Sequence, residues 1–64
     1  MSIVILHKHG NYGPNGKPSY IKMETKGTMK AAKAAARRFS GGPYRFVASS
    51  KVKHTGHKGL YYVR

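Results

Sequence analysis

Lys30, Lys33 and Arg37 recur at spacings of three and four residues, and Arg38 stands beside them. On a helix this spacing gathers the cations on one side, where they can follow a phosphate backbone or enter a major groove. Lysines and arginines usually form a solvated helix face. Here no acid stands three or four positions away to pair with any of them. A second group runs from Arg45 to the end of the chain. Arg45, Lys51, Lys53, Lys58 and Arg64, with His54 and His57, are interleaved with Tyr44, Phe46, Tyr61 and Tyr62. Two-stranded ribbons can read a groove, and aromatic rings can stack on unpaired bases. Phe46 and Tyr62 are expected in the core, and Tyr61 suits either role.

The four histidines form two close pairs, His7/His9 and His54/His57. Structural zinc sites usually include cysteine, and the chain has none, so no metal and no cofactor is expected. Surface imidazoles that gain charge in mildly acidic solution are the better reading, and they would strengthen binding to a polyanion as pH falls. Glu24 is the sole carboxylate side chain. Two-carboxylate hydrolysis, a carboxylate-oriented Ser-His triad and Mg²⁺-dependent nuclease chemistry all need more acids. P-loop and dinucleotide-binding glycine patterns are missing. Metal-free RNA cleavage would need a base, an acid and a cation, types that His54, His57 and Lys58 supply. Nothing in the spacing makes them converge, so the expectation is a protein that is not an enzyme.

Thirteen lysines and arginines face that single acid, for a net charge of +12 across 64 residues. Such an imbalance says little about fold and much about partners. At 39% hydrophobic residues the chain is too apolar to be a disordered basic tail. The expected partner is a nucleic acid, DNA or RNA, held through its phosphates. The alternative is an inhibitor or adaptor that binds an acidic protein partner, since tyrosine and arginine favour interface hot spots. A membrane partner is not expected. The run Ile3–Leu6 is far shorter than a spanning helix, and the alanine-rich helix would bury little in lipid. The expected location is cytoplasmic.

These residues need a scaffold, and the sequence points to one domain over residues 1–64. A chain this short buries only roughly 60% of its unfolded surface. It has no disulfide, so a homodimer, or a ligand, would supply the missing staple. Residues 2–9 predict a strand that is apolar on both faces, and therefore central. Residues 10–18, rich in Gly, Pro and Asn, predict a loop. Residues 19–25 alternate, which places Ile21 and Met23 inward and Tyr20, Lys22 and Glu24 outward. A helix is expected over 29–39. Thr28 is its N-cap, Gly41 and Gly42 stop it, and Met29, Ala32, Ala36 and Phe39 form its apolar stripe. Residues 44–53 predict a third strand, 55–59 a turn and 60–64 a fourth strand. The fold class is α+β, in the order β-β-α-β-β: a small antiparallel sheet with one helix packed on one face. The other face is expected to be open, with Tyr20, Lys22, Arg45, Lys51 and Lys53 as candidates for it. In size, charge and element order the chain resembles small phage-encoded or ribosome-associated proteins as a class. That likeness rests on composition and carries no motif.

Overall fold

The computed structural model describes residues 2–64. The strands are β1 (Ile3–Lys8), β2 (Tyr20–Lys26), β3 (Arg45–Ala48), β4 (Val52–His54) and β5 (Leu60–Val63), and the helix α1 spans Met29–Ala36. They form a five-stranded antiparallel sheet in the order β3-β1-β2-β5-β4. The α+β class, the helix on one sheet face and the central place of β1 agree with the sequence reading.

The predicted third strand is two strands. A 3-10 turn, Ser49–Lys51, divides it, and its halves lie at opposite edges of the sheet. In a flat sheet, four inter-strand steps would set those edges about 19 Å apart. Ala48 to Val52 through a 3-10 turn advances only about 8 Å. The sheet must therefore curl until its edges approach. Two backbone bonds hold the turn across the end of the curl, Ser49 N–H to Ser2 C=O (2.9 Å) and Arg64 N–H to Lys51 C=O (2.8 Å).

Curling makes an inner and an outer face, and β1 supplies apolar residues to both. Val4 and Leu6 point inward with Tyr20 and Val47, and Val52 and Val63 pack against them. Ile5 points outward under Ala32 and Ala35, flanked by Ile3, Ala36, Phe39, Tyr44 and Phe46. The face expected to stand open is therefore filled by the sheet's own side chains along most of its length.

The alternation in β2 runs opposite to expectation. Tyr20 is buried at 7% exposure, whereas Ile21 and Met23 are 37% and 40% exposed. Tyr20 fills the inside of the curl. Ile21 and Met23 face the helix side, where an eight-residue helix about 12 Å long leaves much of the sheet uncovered. A β-bulge accompanies the change: Ile5 pairs with Glu24 and Leu6 with Lys22, so Met23 is the extra residue.

The helix begins as expected, with the Thr28 hydroxyl accepting the Ala31 N–H (3.1 Å). It ends at Ala36, and Arg38 and Phe39 continue it only as i→i+3 turns. Ala32 and Ala35 are the buried positions, and their small size lets the helix lie close on β1. Met29, placed in the stripe by spacing, is 40% exposed.

Residues 10–18 are an ordered loop built on Ser19, which is fully buried. Its hydroxyl accepts the Tyr12 N–H (3.1 Å) and donates to the His9 carbonyl. Gly10 sits at φ +68°, a backbone conformation that residues with a side chain rarely adopt, and a Cβ there would also displace the Tyr12 ring. Ser19→Ala is expected to cost about 1–3 kcal/mol by orphaning a buried polar group. Hydrogen exchange should show amides 10–18 losing protection before those of β1.

Candidate functional site

Strand directions bring several of the candidate side chains to one end of the sheet. β1 and β4 finish there, β2, β3 and β5 begin there, and the chain leaves α1 toward it. Residues paired across an antiparallel ladder share a face. On the inner face, the register sets Lys8 opposite Tyr20, Tyr20 opposite Tyr61 and Tyr61 opposite His54. These four residues form one cross-strand row at the rim of the curl. The next row holds Arg45, Leu6 and Lys22.

Tyrosine rings position Arg45, Lys22 and His54 within the two rows. Arg45 Nη1 donates to the Tyr20 hydroxyl at 2.8 Å, and its guanidinium lies 5.7 Å from that ring's centre. Lys22 Nζ lies 5.0 Å from the centre of the Tyr61 ring. His54 meets the same ring edge-on at 5.2 Å. The Gly56 N–H donates to His54 Nδ1 at 3.0 Å. A backbone N–H can only donate, so in the neutral ring the proton sits on Nε2, which remains free as a donor.

The loop and the last turn meet above this rim. The Tyr12 ring lies 5.8 Å from His57 and 6.3 Å from His9. Thr55 organises the turn: its hydroxyl accepts the His57 N–H (3.1 Å) and donates to the Leu60 carbonyl (3.0 Å). Lys58 is exposed on that turn.

The residues singled out from sequence thus fall into separate groups. Arg45, His54 and Tyr61 come together on the rim, with Lys58 on the turn above. Lys30, Lys33, Arg37 and Arg38 are exposed on or just past α1, on the outer side of the sheet, and Arg37 and Arg38 approach the rim end. Lys53 pairs with Tyr62 on the outer face. Lys51 and Arg64 meet at the far end, through their backbones. Lys51 and Lys53 therefore do not share the face of Tyr20, Lys22 and Arg45, because the 3-10 turn breaks the strand parity that would have joined them. His7 and His9 also part company: His7 packs on Tyr44 (5.6 Å) and His9 turns toward Tyr12.

Spacing alone missed Lys8 as a member of the site, since only the register shows it to share a row with Tyr61. Glu24, the single acid, pairs with Lys26 at 2.7 Å. No other lysine or arginine has a carboxylate side-chain partner among the described residues, so the rim carries uncompensated positive charge. No three His, Cys, Asp or Glu side chains converge among the described residues. No helix among them is long and apolar enough to cross a membrane. Comparisons with protein-family models, curated proteins and solved structures each find no match to this chain.

Proposed function

We propose that this protein binds nucleic acid through its phosphates, without catalysis. The observation that carries the reading is the rim itself. Lys8, Lys22 and Arg45 stand beside two tyrosines on an ordered sheet, with the His54 Nε2–H free to donate and no acid to neutralise the group. Arg45 and Lys22, already held against tyrosine rings, lose less freedom on binding than free side chains do. The exposed strip Lys30, Lys33, Arg37 and Arg38 and the C-terminal hairpin extend the same positive field. Contacts of this kind position a backbone and carry little sequence information.

The test is a rim variant that combines Lys8→Ala, Lys22→Ala and Arg45→Gln. Binding to oligonucleotides of different sequence should weaken alike. The log–log salt slope should become shallower by about 0.7–0.9 for each phosphate contact removed. A folded variant with unchanged slope and affinity would exclude the rim as the footprint. The parallel variant Lys30→Ala, Lys33→Ala, Arg37→Ala measures the helix strip in the same way.

A second reading, an inhibitor or adaptor for an acidic protein, is favoured by the exposed Ile21 and Met23 on the outer face. A pull-down repeated after nuclease treatment separates the two. Recovery of one stoichiometric protein without nucleic acid supports the adaptor.

A further inference from the structure

We infer that the pocket beside the end of α1 receives one unpaired nucleobase, so that single strands are preferred over duplexes. This inference rests on the nucleic-acid reading and adds to it the strandedness of the ligand. The pocket has a volume of about 420 Å³ and is lined by His7, Met23, Arg38, Phe39, Ser40, Gly41 and Tyr44. That volume falls within the range of small-ligand sites, roughly 300–1,000 Å³.

Its walls match a nucleotide in two respects. Phe39 and Tyr44 meet edge-on with centres 5.4 Å apart, His7 lies 5.6 Å from Tyr44, and Met23 completes an apolar wall. A base's flat π-face can lie on such rings regardless of its identity. Arg38 supplies a cation at the same opening, and Arg37 and Lys33 continue the charge along the helix, none of them paired with a carboxylate side chain among the described residues. A base in the pocket would therefore bring its own phosphate to Arg38.

Two further observations describe the pocket's walls. His7, one of the lining residues, has an Nδ1 with no hydrogen-bond partner among the described residues. The pocket edge is also pre-formed. The Tyr44 hydroxyl accepts the Gly41 N–H at 2.9 Å, which holds the segment after the helix in place. A base within a duplex is stacked and paired and cannot enter, whereas a single strand offers its bases freely.

The experiment compares the wild-type protein on three ligands at one salt concentration: a mixed-sequence single strand, an abasic sugar-phosphate strand of equal length, and the matching duplex. The base-bearing strand should bind about tenfold more tightly than the abasic strand. It should also bind more tightly than the duplex. Ser40→Leu, which fills the pocket without adding a ring, and Tyr44→Leu, which removes a stacking ring, should each bring the preference for bases to within about twofold. Both should leave abasic binding intact, and circular dichroism verifies their folding. Equal binding of the base-bearing and abasic strands by the wild type overturns the pocket assignment while leaving the phosphate reading standing. A preference that survives in both folded variants also overturns it, by placing the stacking elsewhere. Failure to bind any of the three ligands overturns the phosphate reading itself.

Discussion

Replacing Leu6 with alanine is expected to leave much of the protein unfolded at room temperature. Leu6 is fully buried and belongs to the inner cluster of Val4, Tyr20 and Val47. It lies in the row between Arg45 and Lys22, directly below the rim. Removing a buried leucine costs about 2–5 kcal/mol, the cavity included. A domain of this length commands about 3–10 kcal/mol in total. There is no disulfide to constrain the unfolded chain, and the net charge of +12 opposes compaction. The cost is thus comparable to the whole stability. Urea unfolding followed by circular dichroism should show the midpoint collapsing toward zero denaturant. An unchanged midpoint would mean that the inner face is not the core. Ile21→Ala is the contrasting case, because Ile21 is 37% exposed and should shift the midpoint far less.

That contrast also marks where the sequence could be read and where it could not. Ile3 through Leu6 is apolar at every position, which only a central strand covered on both faces can use, so β1 was legible. Thr28 and the alanine-rich run after it identified the helix, though its last regular residue is Ala36, not Phe39. The facing of β2 was not legible, because both sheet faces are partly filled and alternation fixes period but not direction. Whether Tyr20 or Ile21 turns inward depends on the curl of the sheet, and the curl depends on Ser49–Lys51. That segment has no proline or glycine to announce a break, so one strand was expected where two lie on opposite edges.

The candidate site was legible as chemistry and not as geometry. Composition alone shows that Glu24 cannot offset the cations. Arg45, His54 and Tyr61 were singled out from type and interleaving, and the register joins them. Lys8 belongs to the same row, yet no local pattern connects it to Tyr61, far along the chain. Lys51 and Arg64 carry the same charge but lie at the other end of the sheet, a separation that follows from strand direction alone.

The largest effect expected of the intact protein is its sensitivity to salt. Lys8, Lys22, Arg45, Lys33, Arg37 and Arg38 all lack a carboxylate side-chain partner among the described residues, and each that meets a phosphate displaces a condensed counterion. About six such contacts on a single strand give a log–log slope near −4, so raising salt from about 50 to 200 mM weakens binding roughly 300-fold. Measurements at one ionic strength would miss this, because affinity and charge are inseparable for such a surface.

The most direct measurement is therefore a binding titration of the wild-type protein against a mixed-sequence single strand at several salt concentrations between those limits. Binding that is measurable at low salt and declines along a line with a slope near −4 is the predicted result. No binding at the lowest salt by a folded protein, or an affinity indifferent to ionic strength, would contradict it.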